Sequence, residues 1–187
     1  QTQSRLHNGR ATNRGRLTNA IGYTSPKMGG VSLDITTTIS NSPDETIGAG
    51  IRWSNKSILL FADWIDTVPG GAAAPSTGTE SAIKVGGKFK AKAFHVSGQF
   101  EDAADVTGFD YIHINGGFNF NKNNSIELTV GTASHDTVDA QDMESVAIAY
   151  NHKLSKMTNV YIGYGDRSSD TAANEDSIFT AGIKKKF

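Results

Sequence analysis

Residues 177–187 read Ser-Ile-Phe-Thr-Ala-Gly-Ile-Lys-Lys-Lys-Phe. In an extended strand successive side chains point to opposite faces, so Phe179, Ala181, Ile183 and Phe187 share one face and Thr180, Gly182, Lys184 and Lys186 the other. A soluble sheet has little reason to end on an exposed Phe. A membrane β-barrel does, because its outward face meets lipid and its rims carry aromatic girdles. The stretch therefore predicts a strand with one face in hydrocarbon.

The same alternation recurs upstream. Strands are expected near 16–24, 31–39, 46–53, 57–65, 82–89, 93–101, 110–120, 125–132, 144–154 and 159–164, which makes eleven with the last. Short turns such as Asn55-Lys56 and Asn121-Lys122-Asn123-Asn124 alternate with longer polar segments such as 67–80, 102–108, 133–142 and 166–176. A transmembrane barrel has this rhythm, with short turns on one side of the membrane and longer loops on the other.

Charge placement is the sharper test. Asp34 sits between Leu33 and Ile35, Arg52 between Ile51 and Trp53, Asp63 between Ala62 and Trp64, and Lys84 between Ile83 and Val85. His95, His113 and Glu127 are likewise flanked by apolar residues. Each falls opposite the apolar set, on the face that would line a water-filled interior. An Arg or Lys on the lipid face at mid-depth would cost about 2–4 kcal/mol. Lys185 departs from the pattern close to the chain end, where its stem can reach the interface. Aromatic residues stand near strand ends: Tyr23, Trp53, Trp64, Phe89, Phe120 and Phe187. The competing architecture is a soluble β-sandwich, whose apolar faces would pack on each other; Gly87, Gly98 and Gly116 interrupt those faces and would fill a core poorly.

Composition agrees with these readings. The net charge of −1 gives no bulk attraction to nucleic acid. The absence of cysteine excludes disulfides, thiol catalysis and Cys-ligated metal. The longest apolar run is Ile58-Leu59-Leu60-Phe61-Ala62, far short of the roughly 18 residues of a membrane helix. No Gly-x-Ser-x-Gly elbow appears, and His7, His95, His113, His135 and His152 show no metal-ligand spacing, so they read as lumen or loop residues. No enzymatic activity is expected. The acidic segments 135–139 and 165–170 could offer carboxylates to Ca²⁺ but do not fit an EF-hand loop, and no other cofactor is expected.

The segment Arg16-Leu17-Thr18-Asn19-Ala20-Ile21-Gly22-Tyr23-Thr24-Ser25-Pro26-Lys27-Met28-Gly29-Gly30 resembles a motif of Gram-negative general diffusion porins. The closing Gly-Ile-Lys-Lys-Lys-Phe is similar to that family's terminal strand, a feature shared with other outer-membrane barrels such as autotransporters. The resemblance implies an all-β, transmembrane antiparallel β-barrel of sixteen strands, of which this chain would supply strands six to sixteen. Residues 1–13 would be the returning end of the constriction loop and 14–187 the barrel strands. The missing N-terminal strands would come from elsewhere. It also implies passive diffusion of ions and small hydrophilic solutes, a homotrimer, and contact with lipid and lipopolysaccharide in the outer membrane of a Gram-negative bacterium. The expected pore-lining residues are Arg10, Arg14, Arg16, Arg52 and Lys84 with Asp34, Asp63, His95, His113 and Glu127; Arg5 is a further basic candidate in the segment before the first strand. A substrate-selective channel or an autotransporter translocator is the alternative barrel.

Overall fold

The computed structural model describes residues 20–39, 46–67, 80–170 and 175–186. They form one eleven-stranded antiparallel sheet in sequence order: β1 (Ala20–Thr24), β2 (Val31–Thr38), β3 (Thr46–Ser54), β4 (Ile58–Thr67), β5 (Glu80–Lys90), β6 (Phe94–Asp102), β7 (Phe109–Asn119), β8 (Asn124–His135), β9 (Met143–Lys153), β10 (Thr158–Ser169) and β11 (Asp176–Lys185). Every neighbour is a sequential hairpin. Within the described residues, β1 and β11 are the sheet's two edges.

Alternation divides the sheet into two faces. On one face Leu33 pairs with Ile51, Ile51 with Ala62, Ala62 with Val85, Val85 with Phe100 and Phe100 with Ile112, a continuous apolar row. Its large side chains are exposed, Ile183 at 66% and Ile35 at 53%. A soluble sheet would hide them, and among the described residues no second sheet packs against them. The sandwich expectation therefore fails on packing. In hydrocarbon these same side chains carry no exposure penalty.

The register also climbs. A row that starts at Ile58, the first residue of β4, runs through Phe89, Val96, Gly116, Leu128, Ile148 and Tyr164 to Phe179. It begins at the short-turn end of β4 and arrives near the long-connection end of β11. Such stagger is the shear that tilts strands in a closing barrel.

Two strands outrun their expected lengths. β8 continues to His135 and β10 to Ser169, where segments 133–142 and 166–176 read as loops. Asp166, Arg167 and Ser168 stay in register with Val146, Ser145 and Glu144 of β9. Ladder hydrogen bonds hold the backbone there although the side chains are polar.

The small buried cluster lies at the long-connection end of the polar face. Ala82, Ala103, Phe109, Tyr111, Ala133 and Met143 form it, with Ile65 packed against it. The β6–β7 connection, which reads as a plain loop, contains one helical turn, α1 (Ala104–Thr107), closed by Gly108 at φ 79°. The turn packs toward β5 rather than standing away from the sheet. Phe109 is fully buried, with the His135 ring edge-on at 4.6 Å between centroids.

Candidate channel wall

The face opposite the apolar one holds the mid-strand charges, and they meet in pairs. Asp34 on β2, Arg52 on β3 and Asp63 on β4 form one cluster. Arg52 Nε lies 3.3 Å from Asp34 Oδ2, and its Nη2 donates to Asp63 Oδ1 at 3.2 Å. Register explains the reach: Asp34 and Asp63 both pair with Gly50, two residues before Arg52 on the same face of β3. The Thr24 hydroxyl donates to Asp34 Oδ1 at 2.6 Å, and the Arg52 guanidinium sits 5.7 Å above the Phe61 ring.

One strand on, Lys84 Nζ lies 2.9 Å from Glu101 Oε2 across the β5–β6 pair. Further toward the short turns, His95 Nε2 lies 3.1 Å from both Glu127 Oε2 and Asn115 Oδ1. Both partners are acceptors, so Nε2 carries the proton. Asn115 in turn donates through Nδ2 to Thr129 Oγ1 at 2.9 Å and to the Leu128 carbonyl at 3.2 Å. His95 and Glu127 meet across Gly117, their common register partner, where a Cβ would lie 2.6 Å from the Glu127 carboxylate. Glycine there lets the two side chains close over the strand.

The expected lining residues thus fall as follows. Asp34, Arg52, Asp63, Lys84, His95, His113 and Glu127 occupy the polar face. His113 stands in register between Gln99 and Gly131. Arg10, Arg14 and Arg16, with Arg5, lie outside the described residues. The sequence reading puts Arg52 and Lys84 on one face with Asp34 and Asp63 without pairing them; in the structure each base has a carboxylate within ion-pair distance on the same wall. Glu101 is the partner that reading omits. It stands beside Phe100 in the expected strand, and the signal was its register opposite Lys84. His152 also departs from the lumen-or-loop reading. It lies on the apolar face near the end of β9, where its Nδ1 and the Tyr150 hydroxyl both lie 2.6 Å from Asn124 Oδ1.

Tyr23, Trp53, Phe89 and Phe120 stand on the apolar face toward the short turns, and Trp64 toward the long connections. Phe187 lies outside the described residues. Phe94 and Phe118 pair across strands and join this band, with Phe89–Phe94 centroids 5.8 Å apart and Phe118–Phe120 5.3 Å apart in edge contact. Among the described residues no group of three His, Cys, Asp or Glu is placed to hold a metal ion.

The sheet superposes on solved barrels. The anion-selective porin from Comamonas acidovorans superposes with a TM-score of 0.70 at 15% identity, over 90% of this chain and 56% of that one. A mutant porin of Rh. blastica gives 0.66 at 21%, over 92% and 57%. OmpT, an outer membrane protein of Vibrio cholerae, gives 0.62 at 11%, over 88% and 61%. The chain spans little more than half the length of these structures. Among curated proteins none matches it in sequence. A family model of Gram-negative porins, however, matches residues 2–172, nearly the whole chain. With that match and a sheet shared with solved porins, the chain belongs to the Gram-negative porins, β-barrel proteins of the bacterial outer membrane.

Proposed function

We propose that this chain forms most of the wall of a water-filled channel through which ions and small hydrophilic solutes diffuse passively. The observation that carries the reading is the partition of the sheet: its ion pairs lie on one face and its exposed large apolar side chains on the other. A lumen filled with water solvates the first face and lipid solvates the second. No chemical step is required. Flux is set by bore and by the field of the lining charges.

The complete barrel has sixteen strands in this proposal, with strands six to sixteen supplied here. Parity supports it. Eleven antiparallel strands leave β1 and β11 running the same way, so an odd number of further strands is needed for antiparallel closure, and five is odd. Residues 1–13 would then return from a constriction loop, and Arg10, Arg14 and Arg16 would face the lumen with the residues of the wall. Three such barrels would associate, in contact with lipid and lipopolysaccharide, without a cofactor. Ca²⁺ would at most bridge carboxylates of the external connections.

Planar-bilayer recording on the intact protein tests the channel. Steady single-channel conductance steps that persist when the electrolyte is changed are expected. A purified, folded protein that never raises membrane conductance would refute the reading.

A further inference from the structure

The net charge of −1 hides a sorting along the strand direction. Five short turns occupy one rim of the sheet: residues 25–30, 55–57, 91–93, 120–123 and 154–157. Each carries one lysine and no acid: Lys27, Lys56, Lys92, Lys122 and Lys156. The connections between the described strands at the opposite rim carry no lysine or arginine; Arg5, Arg10, Arg14 and Arg16 precede β1, which starts at that rim, and are outnumbered by the acids of these connections. Those connections hold Asp44 and Glu45, Asp105, then Asp136, Asp139 and Asp142, then Asp170 and Glu175. The acid-free, base-free connection 68–79 is flanked by Asp66 and Glu80.

The inner face continues the gradient. Lys88 and Lys90 end β5, Lys153 ends β9, and Lys184 stands near the end of β11, all on the polar face toward the short turns. None of these four forms an ion pair among the described residues. The ion pairs lie between the two rims; Lys84 balances Glu101, while Arg52 faces the two carboxylates Asp34 and Asp63. Among the described residues Arg167 is the base toward the long connections, and it stands in register with Asp176.

We propose that the channel is electrically polarised along its axis, with a cation-gathering mouth at the long connections and an anion-gathering mouth at the short turns, and that it therefore conducts asymmetrically. This rests on the channel reading above. Fixed charge concentrates counter-ions within about 8–10 Å, the screening length near physiological salt, which is comparable to the dimensions of a mouth. When the long-connection side is positive, cations are driven in through the mouth that concentrates cations and anions through the mouth that concentrates anions. Both accumulate inside and current is high. Reversed voltage draws each ion away from the region that holds it, the middle is depleted, and current falls.

The test is single-channel current against voltage for the intact protein, in KCl at about 0.1 M and about 1 M. Orientation is assigned with Thr137→Cys in the β8–β9 connection, labelled from one chamber by a membrane-impermeant maleimide, with the unsubstituted protein as the labelling control. Current with the long-connection side positive should exceed the reverse roughly 1.5- to 3-fold at the lower salt and approach equality at the higher. The combined variant Lys88→Glu, Lys90→Glu and Lys184→Glu should abolish or invert the ratio while single steps persist. Equal currents at both polarities in the low-salt, oriented wild-type channel would overturn the polarity and leave the channel standing. Rectification unchanged in the triple variant, or of the opposite sign, would also overturn it. Absence of any conductance would remove the channel itself.

Discussion

Arg52 shows how one side chain can matter more to the field of a wall than to its stability. Its contacts at 3.3 and 3.2 Å are with carboxylates that are 29% and 33% exposed, and its own side chain is 41% exposed. In such surroundings each pair contributes only about 0–1 kcal/mol. Removing the cation nevertheless leaves Asp34 and Asp63 uncompensated on the face assigned to the lumen. Arg52→Gln is therefore expected to unfold in urea at nearly the wild-type midpoint. In a KCl gradient its reversal potential should move toward the potassium value, more so at low salt. Arg52→Lys keeps the charge and should keep the wild-type potential. Equal potentials for wild type and Arg52→Gln would show that this cluster does not face the permeating ions. The cluster was half legible in the sequence. Alternation alone puts all three residues on one face. Their meeting is set by cross-strand register, which places Asp34 and Asp63 on either side of Gly50, and no local pattern encodes that.

At the scale of single strands, the contrast between neighbours is the useful probe. Ile148 and Ala147 are consecutive in β9 and face opposite ways, Ile148 opposite Leu128 and Tyr164 on the apolar face and Ala147 opposite Thr129 and Gly165 on the polar one. Ile148→Arg should cost about 2–4 kcal/mol if that face meets hydrocarbon at mid-depth. Ala147→Arg should cost much less, since its charge enters water. Equal losses, read from urea midpoints in lipid vesicles, would deny the two faces their different solvents. The β6–β7 connection is a second element with its own energetics. Phe109→Ala removes a fully buried ring from the cluster around Ala103, Tyr111 and Met143, where such deletions cost about 3–5 kcal/mol. Because the cluster sits at one end of the sheet, the loss should appear first as protease cleavage between residues 102 and 109, before the strands themselves open. This connection was also where sequence reasoning fell short. Ala104-Asp105-Val106-Thr107 has no apolar period long enough to signal a helix, and its turn is stabilised by tertiary packing and by Asp110 Oδ1 accepting the Ala103 N–H at 3.1 Å. The ends of β8 and β10 were missed for a related reason: ladder pairing, of β8 to β7 and of β10 to β9, continues through residues whose side chains favour loops.

For the whole molecule the decisive quantity is the backbone at the two edges. β11 has ten residues and β1 five, and neither has a strand on its far side within the described residues. Alternate residues of an edge strand aim their N–H and C=O groups away from the sheet. Each such group left unpaired in hydrocarbon costs several kcal/mol. A few of them already exceed the 5–15 kcal/mol or so by which whole proteins are stable. Eleven strands, though legible one by one from alternation, cannot therefore be the membrane-stable unit as an open sheet. Nor can they close simply, because β1 and β11 run in the same direction and would have to pair in parallel. The polypeptide 1–187 refolded alone into vesicles is thus expected to stay protease-sensitive and to aggregate through its edges. Refolding it together with a polypeptide that supplies an odd number of strands, able to pair with β1 on one side and β11 on the other, should yield a protease-resistant species whose mobility in detergent gels changes on heating. A monodisperse, protease-resistant monomer of 1–187 alone would mean that the edges find partners within this chain, and the argument from edge parity to a larger barrel would fall with it.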